Sequence, residues 1–219
     1  RIMINTDAYR ISEYLHSLEG DADTFLAELR SYAAEHEVPI IRIETESFIR
    51  TLLKLIRPRN ILEIGAAIGY SSVVMAKASE ADILTIENYD KRIPIAESNI
   101  ARSGYSDRIR LVADDAGKVL KTLKTEGRAF DMIFLDAAKG QYPVWLSDIK
   151  ALMHEGSVLL ADNVLQEGTV TESRFTIPRR ERTTHERMRD FLYTIKHDEQ
   201  LESSVLNIGD GVSLSVRLQ

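Results

Sequence analysis

The sequence predicts an α/β fold: a mostly parallel sheet with helices on both faces and a helical cover formed by the N-terminal residues. Three observations carry this. Between residues 60 and 162, short apolar runs alternate with helical patterns, and parallel strands need such crossover helices. At Asn60–Ile61–Leu62–Glu63–Ile64–Gly65–Ala66–Ala67–Ile68–Gly69–Tyr70–Ser71–Ser72 an apolar strand ends in a glycine turn that opens a helix. That junction is where open α/β sheets bind nucleotides. Finally, two β-like runs, Ser204–Ile208 and Val212–Leu218, flank Gly209–Asp210–Gly211. This is a hairpin signal, so these last strands are antiparallel to each other.

Helices are predicted at Asp7–Leu18, with Tyr9, Ile11, Tyr14, Leu15 and Leu18 as apolar positions, and at Asp23–Glu35, with Phe25, Leu26, Leu29 and Tyr32. A third spans Glu44–Ile56 and stops before Arg57–Pro58. Val38–Pro39–Ile40–Ile41 is an extended connector, as proline favours. Strands follow at Asn60–Gly65, Asp82–Glu87, Ile109–Ala113, Phe130–Asp136 and Ser157–Asp162. The helices between them fall near Tyr70–Ala78, Lys91–Ser103, Gly117–Leu123 and Tyr142–Met153. Val164–Gln200 is a long polar segment. No repeat, low-complexity tract or linker interrupts the chain. The expectation is one domain over 1–219, with helices in 1–57 and an α/β core in 58–219 that carries a basic insertion at 164–200.

The 219 residues suffice for one full core, and 44% hydrophobic with 28% charged residues is ordinary for a globular chain. A net charge of -6 argues against a protein that coats nucleic acid everywhere, but leaves room for a local basic patch. With no cysteine, disulfides, thiolate metal sites and cysteine nucleophiles are excluded. No apolar run approaches ~18 residues, so no membrane span is expected. Arg1–Asp7 lacks the apolar core of a signal segment, and Met3 is the expected natural start. A cytoplasmic location is the expectation.

Ligands of such sheets sit beyond the carboxyl ends of the strands, and here those ends are acidic. They supply Glu63 and Gly65, then Glu87, then Asp114 and Asp115, then Asp136, then Asp162 with Asn163. The glycine spacing, Gly65 to Gly69, is not the dinucleotide fingerprint. Glu63 beside the turn suits a cationic ligand such as S-adenosylmethionine (SAM) better than a pyrophosphate. Glu87, about 20 residues after the turn, is placed either to bind ribose hydroxyls or to cap the next helix. Asp136, Asp162 and Asn163 end neighbouring strands, and two carboxylates with an amide are hard oxygen ligands for Mg²⁺, Mn²⁺ or Ca²⁺. The competing reading of Asp162–Asn163 is a simple turn. The five histidines lack metal-ligand spacing, and no serine sits in a nucleophile elbow.

Ile61–Ser71, Thr85–Glu87, Leu135–Tyr142 (Leu-Asp-Ala-Ala-Lys-Gly-Gln-Tyr) and Asp162–Leu165 together resemble the metal- and SAM-dependent O-methyltransferases related to the catechol and caffeoyl-CoA enzymes. The resemblance implies a Rossmann-like class I methyltransferase sheet of seven strands, the last antiparallel. It also implies that Glu63, Gly65 and Ser71 line the methionine part of SAM and that Glu87 binds its ribose. Asp115 and Ala116 would lie at the adenine, and Ile41 would close over the cofactor. Asp136, Asp162 and Asn163 would bind the metal, Mg²⁺ or another hard divalent cation. Lys139 would be the general base, its alternative being a surface lysine. The family is often dimeric, so a homodimer is expected, with the N-terminal helices as interface material.

Arg174–Arg189 holds six arginines against two glutamates, a local charge of +4. One reading is a solvated amphipathic helix with Glu–Arg pairs. The other is a phosphate-binding surface. Arg179–Arg180–Glu181–Arg182 after Pro178 resembles the bacterial branch that methylates 5-hydroxyuridine at the tRNA wobble position. On that reading Arg174, Arg179, Arg180, Arg182 and Arg187 hold the anticodon stem-loop. The base's 5-hydroxyl and 4-carbonyl oxygens are adjacent, like those of a catechol. A small catechol or hydroxycinnamoyl-CoA acceptor, and a non-catalytic SAM- and RNA-binding module, are the alternatives.

Overall fold

Polar caps and an extended connector shape the N-terminal cover. The computed structural model describes residues 6–20 and 23–219, so the side chain of Tyr9 and the segment read for a signal core lie outside the described residues. Helix α1 spans Thr6–Ser17, α2 Thr24–Glu35 and α3 Ile43–Ile56. Asp23 caps α2 by accepting from the Phe25 and Leu26 N–H groups, both at 3.1 Å. Arg57 ends α3 in the left-handed region, φ 47°, just before Pro58. Helix α1 leaves Ile11, Tyr14 and Leu15 exposed, as is Leu18 just after it.

The core alternates as the sequence predicts: β1 (Asn60–Ile64), α4 (Tyr70–Ala78), β2 (Asp82–Glu87), α5 (Ile93–Arg102), β3 (Ile109–Ala113), α6 (Ala116–Thr125), β4 (Phe130–Leu135), α7 (Tyr142–Ala151) and β5 (Met153–Ala161). Helix α8 (Arg182–His197) and strands β6 (Leu201–Leu206) and β7 (Val212–Arg217) follow. The seven strands lie in the order β3-β2-β1-β4-β5-β7-β6. β1 to β5 run parallel, and β7 is antiparallel to both its neighbours. One apolar core packs α2, α3, α4 and α5 on one face of the sheet, and a second packs α6, α7 and α8 on the other. No helix among the described residues is long and apolar enough to cross a membrane.

Three elements differ from expectation, one of them β6, which runs Leu201–Leu206 rather than Ser204–Ile208 because all six residues pair with β7. β5 starts at Met153, earlier than the predicted Ser157, because a register shift between Phe130 and Met132 lets Met153 pair with Phe130. Gly156 turns through φ 83° there, and the Ser157 hydroxyl bonds the Phe130 carbonyl at 2.7 Å. The polar insertion is ordered structure: a 3-10 stretch, Gln166–Thr171, broken at Glu167 and Gly168, and then α8. Helix α8 buries His185, Met188, Phe191 and Ile195 and sends its charges outward.

The functional end of the sheet depends on a contact between the tips of β1 and β4. The Asp136 N–H donates to Ile64 O at 3.0 Å, and Gly65 turns away at φ 106°. A Cβ on Gly65 would lie 2.0 Å from the Asp136 carbonyl oxygen. Gly65→Ala should therefore cost at least about 2 kcal/mol, lowering the thermal unfolding midpoint by roughly 4–8 °C. A calorimetric scan giving the wild-type midpoint would contradict this contact.

Candidate active site

The carboxyl ends of β1, β2, β3 and β4 open onto a cleft of about 670 Å³. Its walls begin with Pro39 and Ile40 from the connector and Gly65 and Ala67 from the glycine turn. Glu87, Tyr89, Asp115 and Ala116 continue them, and Asp136, Lys139 and Asn163 close the far side. Acidic residues dominate: Glu87, Asp114, Asp115 and Asp136 face Arg92 and Lys139. That balance suits a cationic ligand.

Glu87 does not cap the next helix, since α5 begins at Ile93 with no side-chain cap. Its carboxylate accepts the Ala67 N–H at 2.7 Å on one oxygen and the Asn88 and Tyr89 N–H groups at 2.9 Å on the other. It thus clips the glycine turn to the end of β2 while lining the cleft. The oxygen with a single donor keeps a lone pair for a ligand hydroxyl. Asp115 caps α6 by accepting the Lys118 N–H at 3.0 Å. Beside it, Trp145 of α7 packs its indole on Gly117. Trp145 and Tyr89 were not foreseen; Trp145 lies in the helix after β4 yet meets Gly117 in the helix after β3, and Tyr89 stacks under Arg92.

Three expected cofactor residues lie behind this wall. Glu63 is fully buried and accepts hydroxyl protons from Ser71 and Thr85, each at 2.5 Å, and from Ser72. Burial pushes its carboxyl up to about 7, with the three hydroxyls opposing and Asp136 adding to the rise. Ser71 is spent as one of those donors. Ile41 is buried in the core, and its carbonyl accepts from the Arg30 guanidinium at 3.4 Å. Pro39 and Ile40 therefore form the wall in its place.

At the other side of the cleft the structure brings Asp136, Asp162, Asn163 and Lys139 together. The Asn163 side-chain amide donates to Asp136 Oδ1 at 3.0 Å, and its backbone N–H donates to Asp162 Oδ1 at 2.8 Å. Asn163 adopts φ 59°, a left-handed conformation that asparagine tolerates. Asp162 lies behind, only 2% exposed. The buried Tyr142 hydroxyl sits 3.1 Å from Asp162 O and 3.2 Å from Leu135 O, joining the ends of β5 and β4. Loss of water raises both aspartates, and Asp136 raises Asp162 further. Among the described residues no three His, Cys, Asp or Glu side chains gather for a metal, and the group that stands beside the two carboxylates is the Asn163 amide. Two crowded carboxylates plus an amide oxygen fit a hard divalent cation, which would relieve their repulsion. Lys139 opens a 3-10 turn, Lys139–Gln141, and points its ammonium to within 3.6 Å of Asp210 Oδ2.

The arginines of the insertion are mostly engaged within the fold. Arg187 donates to Gly140 O at 3.0 Å, Arg189 to Val170 O at 3.0 Å and Arg182 to Ile177 O at 3.0 Å. Arg174 pairs with Glu186 at 3.3 Å and Arg180 with Glu181 at 3.1 Å, both on the surface. Arg179 is exposed, and Phe175 nearby in sequence is 86% exposed. The Glu–Arg pairing reading thus holds for Arg174 and Arg180. Arg182 and Arg187 instead cap carbonyls, a role that sequence spacing does not reveal.

Comparison with known proteins agrees with this geometry. A family model described as O-methyltransferase matches residues 16–218. A catechol O-methyltransferase from Niastella koreensis is 32% identical over 173 residues, 77% of this chain and 78% of that protein. A caffeoyl-CoA O-methyltransferase from Eucalyptus gunnii is 31% identical over 208 residues, 89% of this chain and 81% of that one. Among solved structures, the Bacillus cereus O-methyltransferase in complex with SAH superposes with a TM-score of 0.84 at 27% identity, covering 95% of this chain and 97% of that one. The O-methyltransferase TomG from Streptomyces achromogenes, in complex with SAM and involved in tomaymycin synthesis, gives 0.84 at 25% identity, covering 99% and 100%.

Glu63 makes stability depend on pH in a stated direction. Below pH 4.5 the group is protonated in both states. Between 4.5 and about 7 the folded protein keeps the proton that the unfolded chain loses, so stability falls as pH rises, and above 7 the deficit is constant. From pH 5 to 8 the wild type should lose on the order of 2–3 kcal/mol relative to Glu63→Gln. Urea unfolding of both proteins at the two pH values measures this, and parallel profiles would refute it.

Proposed function

From a chain that belongs to the O-methyltransferase family and is a SAM-dependent O-methyltransferase, we propose a narrower activity: methylation of one of two adjacent oxygens on an acceptor held at Asp136, Asp162, Asn163 and Lys139. The observation that carries this is the convergence of the half-buried Asp136, the buried Asp162, Asn163 and Lys139 on one side of a cleft whose acidic walls suit a cationic cofactor. When bound, SAM supplies the electrophilic methyl, and a divalent cation held by Asp136, Asp162 and Asn163 lowers the pKa of an acceptor hydroxyl. Gly65 and Ala67 leave room for the amino-acid end of SAM, Glu87 takes a ribose hydroxyl, and Asp115 with Ala116 borders the adenine. Lys139 is placed to take the hydroxyl proton at Nζ. The acceptor oxygen then bonds the methyl carbon as the carbon–sulfur bond breaks. The walls would limit how acceptor and cofactor can approach, and such positioning supplies much of the rate in a transfer of this kind.

A catechol-type small molecule is the first acceptor class. It presents two chelating oxygens, and the relatives include catechol and caffeoyl-CoA enzymes. A second acceptor, 5-hydroxyuridine in the tRNA anticodon loop, is favoured by a separate observation. Arg174, Arg179 and Arg180 are exposed together with Phe175, which offers cations for phosphates and a ring for stacking. Arg182 and Arg187 would then act by shaping that surface. The exposed apolar stripe of α1 supports the homodimer expectation.

Asp162→Ala should lower methyl transfer by on the order of 100-fold or more, with SAM affinity by calorimetry largely kept. EDTA should reproduce the loss in the wild type. Undiminished turnover in either case would sink the metal-assisted mechanism. Labelled SAM offered with a catechol and with tRNA carrying 5-hydroxyuridine separates the acceptors. Label in the tRNA that is lost in Arg179→Ala/Arg180→Ala selects RNA, whereas label in the catechol alone makes those arginines a solvated face.

A further inference from the structure

Asp210 stands at the tip of the β6–β7 hairpin, where side chains are usually solvated, yet it is only 7% exposed. One carboxylate oxygen accepts the Glu167 N–H, and the other lies 3.6 Å from Lys139 Nζ. Its carbonyl accepts the Leu165 N–H at 3.0 Å, and the carbonyl of Gly211 accepts the Val164 N–H at 3.0 Å. Gly211, at φ 81°, lies so close that a Cβ there would sit 2.2 Å from Leu165 Cγ. The hairpin tip is thus pressed onto the residues that directly follow Asn163. Among the described residues, the ion pair with Asp210 is the one polar contact of the Lys139 amine. The backbone of the Lys139 turn is pinned separately, by Arg187 on the Gly140 carbonyl.

We propose that Asp210 is a positioning residue, which holds the flexible Lys139 stem at the cleft and keeps it in step with the loop carrying Asp162 and Asn163. Lysine ends a four-carbon chain with many rotamers, so an untethered Nζ would rarely lie where an acceptor proton leaves. Asp210 does not line the cleft, so it acts through Lys139. The inference rests on the proposed role of Lys139 in the transfer step.

Asp210→Asn keeps an acceptor for the Glu167 N–H and removes the charge that faces Lys139. With Mg²⁺, and with whichever of catechol and 5-hydroxyuridine tRNA the wild type methylates, kcat should fall roughly 10-fold or more. KM, SAM affinity and the thermal midpoint should stay near wild type. In a Lys139→Gln background the same change should alter kcat less than about 2-fold, since the residue it acts through is gone. A readout that needs no turnover is the acylation rate of Lys139 in the protein alone, followed by mass spectrometry. It should rise several-fold in Asp210→Asn while Lys118 and Lys124 keep their rates. Unchanged Lys139 labelling, a full further loss in the Lys139→Gln background, or a fall in SAM affinity or midpoint matching the fall in kcat would each overturn the proposal. A fully active Lys139→Gln single variant overturns instead the role of Lys139 beneath it.

Discussion

The backbone of Gly65 and the carbonyl of Asp136 touch with no space for a side-chain carbon, and the rest of the active end is arranged around that contact. The glycine turn borders the cofactor side of the cleft, and Asp136 borders the side where an acceptor and cation would sit. Methyl transfer needs donor and acceptor atoms a few tenths of an ångström from collision and in line. Two pockets that share a close-packed backbone wall cannot drift apart, because the parallel pairing of β1 with β4 fixes the wall itself.

A second constraint is electrostatic. Glu63, Asp162 and Asp210 are all buried at one end of one sheet, and Asp136 borders them at the cleft. Isolated buried carboxylates would be prohibitive, so each has its own donors. Glu63 has three hydroxyls, Asp162 the Asn163 N–H, Asp136 the Asn163 amide, and Asp210 the Glu167 N–H with the Lys139 ammonium. What remains unbalanced is the crowding of Asp136 against Asp162, which is where a cation gains most. The arrangement couples stability to function: the strain that a ligand relieves is a strain the empty fold must carry.

Much of this was legible in the sequence. Parallel strands buried on both faces read as apolar runs, so β1 to β5 and the acids at their ends could be placed within a few residues. The carboxylate pair, Asn163 and Lys139 meet because those strand ends are neighbours, which the alternation of strands and helices already implies. Other features depend on partners distant in sequence. The direction of Glu63 is set by hydroxyls on α4 and β2, and Ile41 is buried in the apolar core that α2, α3 and α4 build. Trp145 reaches the cleft only because Gly117 on another helix makes room. The arginine-rich segment looked like a charge patch because composition counts cations, whereas the carbonyls of Gly140, Val170 and Ile177 that receive three of them appear only in the fold.

The position of β7 bears on how the molecule is made. It slots between β5 and β6, so during vectorial synthesis the edge of β5 has no partner until Val212–Arg217 has left the ribosome. An apolar strand with an open edge is an invitation to pair with a neighbouring nascent chain. The hairpin that closes this edge also delivers Asp210 and Gly211 to the Lys139 side of the cleft. The nascent protein therefore becomes safe from edge-to-edge association and complete at its active end in the same late step.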